Sequence, residues 1–166
     1  MLKILYLDDR REAHNNLKQE IGRDVVCVED LITFDEWLYD DEGYKKYDLV
    51  ILDLALELSG DIKLDDLRDE ISELCSDDVP TYCEARIPLI GFDYFNLVIN
   101  TRAETRRMLD EGRIVLLSGH VVKLSEKEIF TKQKYPNVTL LDRGKKSSYV
   151  ELLQIIEEFE KEPRGK

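Results

Sequence analysis

Long apolar runs are missing from this sequence. No stretch approaches the roughly 20 consecutive apolar residues that a membrane-spanning helix needs, so a membrane role is not expected. The run at Leu2 to Leu7 is interrupted by Lys3 and meets Asp8 and Asp9 at once, which reads as a strand and not as a signal peptide. Cysteine is scarce. Cys27, Cys75 and Cys83 are an odd number, have no CxxC spacing, and the last two have no histidine nearby. That argues against a disulfide framework or a zinc site, and makes a reducing, cytoplasmic setting the expectation. Positive charge is in deficit: 24 Lys and Arg stand against 36 Asp and Glu, for a formal net charge of −12. Such a balance repels nucleic acid backbones and anionic membrane surfaces, and favours basic partners and divalent cations. There is no internal repeat and no low-complexity tract.

The 166 residues suffice for one domain with a real core, and 43% of them are hydrophobic. Strand-like and helix-like patterns alternate. Strands are expected at Lys3 to Leu7, Val25 to Val28, Leu49 to Leu52, Arg113 to Leu117 and Val138 to Leu141. The third is a continuous apolar run, as suits a central parallel strand buried on both faces. Between them, Arg10 to Ile21 carries Ala13, Leu17 and Ile21 at four-residue spacing and stops at Gly22. Leu31 to Tyr39 reads as a helix with Phe34, Trp37 and Leu38 on one side. A helix from about Gly91 carries Phe92, Phe95, Val98 and Ile99. The polar stretch Ser125 to Lys134 reads as helical, and Ser147 to Glu160 as a last amphipathic helix with Val150, Leu153, Ile156 and Phe159 inward. Alternation of this kind implies right-handed βαβ units and a parallel sheet, whose ligands bind at the carboxyl ends of the strands.

The chemistry-bearing residues fall at those ends. Asp8 and Asp9 follow the first strand, Asp53 the third, Ser118 the fourth, and Lys145 the fifth. Singly, an Asp after a strand is a turn former or a helix N-cap. Together, three carboxylates at one edge repel one another unless one is protonated or a cation intervenes. Mg²⁺ suits such a site, because it takes oxygen ligands and keeps several waters. A lysine and a serine beside it would cradle a phosphoryl group, whose transfer needs mainly positioning and charge neutralisation.

These residues carry a resemblance to a known family. Ile4-Leu5-Tyr6-Leu7-Asp8-Asp9, Tyr47-Asp48-Leu49-Val50-Ile51-Leu52-Asp53-Leu54, Ile114-Val115-Leu116-Leu117-Ser118-Gly119 and the Lys145 region before Leu152-Leu153 resemble the CheY-like receiver domains of two-component response regulators. The resemblance implies a flavodoxin-like, doubly wound α/β fold with a five-stranded parallel sheet of order 2-1-3-4-5. It makes residues 1–160 one receiver domain, with an insertion over about 56–88 and a tail at 161–166. It makes Asp53 the phosphoacceptor and has Asp8, Asp9, Asp53 and the carbonyl of Ala55 hold Mg²⁺. Ser118 would bond the phosphoryl oxygens, small Gly119 would leave room for the donor, and Lys145 would pair with the phosphoryl group. The implied function is a signalling switch and not an enzyme, with only self-phosphotransfer and autodephosphorylation. Its partners would be a sensor histidine kinase or phosphotransfer protein and a downstream protein target. Nucleic acid is not expected, because the last strand and helix use up the C-terminus and leave no room for a DNA-binding domain.

Three features depart from the family. Lys145 is followed by Lys146 where the family has proline, and Arg143 lies nearer the strand end. Counting back from the last helix favours Lys145, and counting on from the strand favours Arg143. The family's aromatic in the fifth strand is missing, with Leu140, Leu141 and Asp142 in its place. The short turn after the phosphoacceptor is replaced by the insertion, with Ile87-Pro88-Leu89-Ile90-Gly91 as its remnant. Three rival readings stand beside this one, one of them a pure interaction module that uses the acidic insertion as a docking arm. A receiver-like interaction module would never be phosphorylated. A haloacid-dehalogenase-type phosphatase would want a second acid two residues after its nucleophile, and Arg10 and Ala55 stand at those places. His14 and His120 are expected as surface or loop residues, with a place near the phosphosite as the alternative for His120, two residues after Ser118.

The insertion generates its own prediction. Leu64, Leu67, Ile71 and Leu74 form one helical stripe opposite an acidic face. Burying each contributes about 1.5–3 kcal/mol, so the stripe is expected to pack on the domain or on a second copy. Solution mass and thermal melting of the Leu67→Asp, Ile71→Asp double variant decide between the two. Lost stability at unchanged mass means packing within the monomer. A stable monomer derived from a dimer means a homodimer interface. No effect on either makes the stripe an uncommitted arm.

Overall fold

The structure is a computed structural model that describes residues 2–54, 56, 90–119 and 130–161. The insertion stripe, Ala55 and His120 lie outside these residues. Five strands follow the apolar runs: β1 (Ile4–Leu7), β2 (Val25–Val28), β3 (Leu49–Leu52), β4 (Ile114–Ser118) and β5 (Thr139–Asp142). All pair in parallel, in the order β2-β1-β3-β4-β5. This is the flavodoxin-like, receiver-type order, whose binding crevice opens where the strand order reverses, outside the carboxyl ends of β1 and β3. The register sets Leu7 beside Leu52, so Asp8 and Asp53 leave the sheet side by side. The backbone continues that pairing by one bond, with Asp53 N–H donating to the Leu7 carbonyl at 2.9 Å.

Helices cover both faces, because residues two apart on a strand share a face. On one face Ile4, Tyr6, Leu49, Ile51, Val115, Leu117 and Leu141 pack against Leu17 and Ile21 of α1 (Arg11–Ile21) and against Leu152 and Ile156 of α6 (Lys146–Lys161). On the other, Leu5, Leu7, Val50, Leu52, Ile114 and Leu116 meet Phe34 and Leu38 of α2 (Leu31–Tyr39). They also meet Phe92 of α4 (Ile90–Tyr94), Phe95, Val98 and Ile99 of the π-turn that continues it, and Met108 and Leu109 of α5 (Ala103–Asp110). A one-turn helix α3 (Gly43–Lys46) leads into β3. Gly22 ends α1 at φ 57°, a left-handed conformation that glycine adopts without a Cβ penalty. Asp30 starts α2, its side chain accepting from Thr33 N–H at 2.8 Å.

Several sequence expectations change. Trp37 is not inward but 46% exposed, because Phe34 and Leu38 occupy the core side of so short a helix. Val150 is exposed and Leu152 is buried, so the inward stripe of α6 runs through Leu152 and Ile156. His14 is buried on α1 and not on the surface. Within residues 90–119 the return to the sheet is made by two helices, not one. The π-turn at Phe95–Ile99 breaks the ladder, with Asn100 N–H donating to the Phe95 carbonyl five residues back. Helix α5 escaped the sequence reading because its apolar residues, Met108 and Leu109, fall late in a polar segment. Of the helix expected over 125–134, residues 125–129 lie outside the described residues. Residues 131–134 form a turn closed by Tyr135 N–H on the Thr131 carbonyl.

A buried polar contact joins α4 to α2. The Tyr94 hydroxyl donates to Asp35 at 2.6 Å. Arg102 lies 3.6 Å from the same carboxylate and stacks over the Tyr39 ring at 4.1 Å.

At the start of α4 the chain touches the end of β3. A Cβ on Gly91 would lie 2.1 Å from the Asp53 carbonyl oxygen and 2.9 Å from the Leu54 Cα. Both are backbone atoms, so neither can swing away. Gly91→Ala is expected to cost at least about 1–3 kcal/mol by overpacking, read as a lower denaturant midpoint at unchanged slope. An unshifted midpoint would mean that α4 does not abut the Asp53 backbone.

Candidate functional site

Asp8, Asp9 and Asp53 meet at the carboxyl edge of β1 and β3. Each offers a carboxylate oxygen, and these atoms lie within 4.8 Å of one another. Asp8 and Asp53 are fully buried and Asp9 is half-buried. Their proximity follows from the sheet register, since the strands run parallel and end level. Three oxygen donors of this kind fit a hard divalent cation such as Mg²⁺, and no soft ligand is among them.

Positive charge reaches the acids from two arginines. Arg143 follows β5, and its Nη1 donates to Asp8 Oδ2 at 2.6 Å and to Asp53 Oδ2 at 3.2 Å. One guanidinium nitrogen thus bridges the two buried carboxylates. Burial works against its charge, but Asp53 and Asp8 prevail and hold the Arg143 pKa above its ordinary value. Arg10 donates to Asp8 Oδ1 twice, from its backbone N–H at 3.0 Å and its Nε at 3.5 Å.

Lys145 stands elsewhere. It is exposed, and its ammonium lies 3.7 Å from Asp142. The reason is the turn after β5. Gly144 N–H donates to Asp142 Oδ1, and Lys145 N–H to the Asp142 carbonyl, which curls the chain away before α6 begins. Arg143 sits two residues after Leu141, which faces the same side of the sheet as Tyr6. The expectation that Lys145 supplies the positive charge beside Asp53 is therefore corrected in favour of Arg143, the alternative that counting from the strand supports.

Ser118 ends β4, fully buried, opposite Asp142 of β5. Its carbonyl accepts from Arg143 N–H at 3.1 Å, so β4 also anchors the arginine. Gly119 is exposed, and among the described residues a Cβ there would come near only Arg143 Nη2, at 3.9 Å. No aromatic residue stands in β5, as the sequence shows.

Two residues that sequence reasoning gave no part lie directly under the acids. The Tyr6 hydroxyl donates to Asp8 Oδ2 at 2.6 Å, and His14 Nε2 lies 2.5 Å from the Asp8 carbonyl oxygen. A tyrosine in an otherwise aliphatic strand, two residues before an Asp, was the available signal. A phenol buried there needs a partner, and position 8 shares its face.

No family model and no curated protein matches the sequence. Solved structures resemble the chain over nearly its whole length. One is a two component transcriptional regulator AraC from Clostridium phytofermentans ISDg, 13% identical, covering 96% of this chain and 91% of that one at a TM-score of 0.44. Another is a response regulator receiver domain protein from Clostridium thermocellum, 13% identical, covering 95% and 98% at 0.44. A de novo designed Rossmann 2x3 fold protein is 17% identical, covering 99% and 94% at 0.45. Likenesses this distant extend to receivers and to a designed protein alike, and it is the strand order itself that establishes the doubly wound fold.

Proposed function

We propose that this chain is a receiver: Asp53 accepts a phosphoryl group with the help of a divalent cation, and the phosphorylated state is read by a protein partner. The observation that carries the reading is the placement of Asp53. It is fully buried at the end of a central strand, within reach of two further acids and bridged to one of them by a guanidinium. Asp8, Asp9 and Asp53 would hold Mg²⁺, with the carbonyl of Ala55 as a further ligand. The cation would neutralise charge on the phosphoryl oxygens and the acids together.

The transfer balances simply. A carboxylate oxygen of Asp53 attacks phosphorus in a phosphohistidine, or in a small acyl phosphate. The new P–O bond forms as the P–N or P–O bond to the donor breaks, and the leaving group keeps the electron pair. Arg143, already at Asp53, would pair with the incoming phosphoryl oxygens, and buried Ser118 would donate to them. Loss of the phosphoryl group to water would reset the switch. The donor would be a histidine kinase or a phosphotransfer protein in the cytoplasm. Among the described residues no helix is long and apolar enough to cross a membrane.

A second reading has one observation in its favour. Arg143 already offsets the charge of Asp8 and Asp53, so the acids can remain buried without a metal. On that reading the chain is a receiver-like interaction module that is never phosphorylated.

Acetyl phosphate with Mg²⁺ separates the two. Intact-mass measurement is expected to show one added phosphoryl group, absent from Asp53→Asn. Arg143→Ala should slow labelling on the order of 100-fold, as loss of a charge-stabilising donor does, and Lys145→Ala should change it little. Labelling that survives in Asp53→Asn rejects the phosphoacceptor, and no labelling of the wild type favours the module. Mg²⁺ binding is tested apart from the chemistry. Magnesium at a hundred times its Kd is expected to stabilise the fold by about 2.7 kcal/mol through linkage, and Asp9→Ala should lose most of that. A melting temperature indifferent to millimolar Mg²⁺ would remove the cation from the proposal.

A further inference from the structure

Strand β1 buries one hydroxyl among aliphatic side chains. Ile4, Leu5, Tyr6 and Leu7 are all within 1% of full burial. Phenylalanine would fill the same space and need no partner. The Tyr6 hydroxyl takes as its partner a carboxylate of the candidate site, Asp8 Oδ2, at 2.6 Å. A hydrogen bond to an ionised acceptor at this length is of the strong kind.

His14 completes the arrangement. Its ring meets the Tyr6 ring edge-on, with centroids 5.6 Å apart at 70°. Its Nε2 faces the Asp8 carbonyl, an acceptor, so that nitrogen carries the proton. Asp8 is thus held at its carboxylate by one ring and at its main chain by the other, and the two rings brace each other. The remaining donors to Asp8 differ in kind. The side chains of Arg10 and Arg143 are long, come from the rim, and can move aside when a cation or phosphoryl group enters. Tyr6 and His14 are enclosed by the α1 and α6 face of the core and stay in place.

We propose that Tyr6 and His14 are positioning residues that fix Asp8 for cation binding. This rests on the reading of Asp8, Asp9 and Asp53 as a divalent-cation site. Hydrogen-bond partners of metal-binding carboxylates restrict their rotation, and losing one typically costs 10–100-fold in metal affinity. The arrangement explains why a polar ring occupies β1 and why a histidine is buried in α1. Both face the one acid whose carboxylate and carbonyl need to be held.

The test is Mg²⁺ affinity by titration calorimetry of the full chain, at a temperature where each variant is folded. Tyr6→Phe is expected to weaken binding by about tenfold or more, and His14→Phe, which keeps the ring packing, to weaken it too. Ile156→Val, a core change on the same face of the sheet, should lower the melting temperature and leave the affinity as in wild type. That contrast separates positioning from stability, because the Kd of folded protein does not report loss of fold. If Tyr6→Phe does not fold, His14→Phe carries the test. If neither folds, the pair is structural and the proposal is overturned. Wild-type affinity in Tyr6→Phe and His14→Phe overturns the positioning role and leaves the proposed function standing. Absence of Mg²⁺ binding in the wild type itself removes the cation from the proposed function and overturns the positioning role with it.

Discussion

Three carboxylates within 4.8 Å of each other, two of them fully buried, make the strongest electrostatic demand among the described residues. Buried carboxylates that crowd one another need matched positive charge or donated hydrogen bonds. The surroundings of Asp8 meet that demand atom by atom. Oδ2 accepts from Tyr6 and Arg143, and Oδ1 accepts twice from Arg10. Arg143 extends the compensation to Asp53. On the proposed function, a cation or a phosphoryl group would exchange partners already present.

The scaffold serves that balance by bringing distant segments to one edge. Parallel pairing of β1 with β3 sets Asp8 beside Asp53, and pairing of β4 with β5 lets the Ser118 carbonyl hold the Arg143 backbone. Helix α4 begins against the Asp53 carbonyl with only a glycine between them, and four residues later Tyr94 is bonded to Asp35 of α2. The backbone at Asp53 therefore abuts a helix that is tied at its far end to another.

Much of this was legible in the chain. Short apolar runs, each ending in a polar residue, located all five strands within a residue or two, because a buried parallel strand needs apolar side chains on both faces. The acids were legible for the same reason: the residue just past such a run lies at the sheet edge. Helix faces were less legible. Trp37 and Val150 have the right residue type for the core, but Phe34, Leu38 and Leu152 occupy it. Helix α5 was missed because few of its residues are apolar.

The sequence by itself determined the strands, the alternation that makes the sheet parallel, and the convergence of Asp8, Asp9 and Asp53, since these follow from local periodicity and chain direction. The tertiary structure alone decided which cation joins them. Arg143 and Lys145 are two residues apart and chemically alike, and only the turn closed on Asp142 sends one inward and the other to solvent. It also decided the partner of His14: the spacing to Leu17 and Ile21 puts the histidine on the inward face of α1, but no local pattern says that it meets the Asp8 carbonyl there. Such contacts depend on where two elements meet in space, and that is set by the packing of the whole sheet.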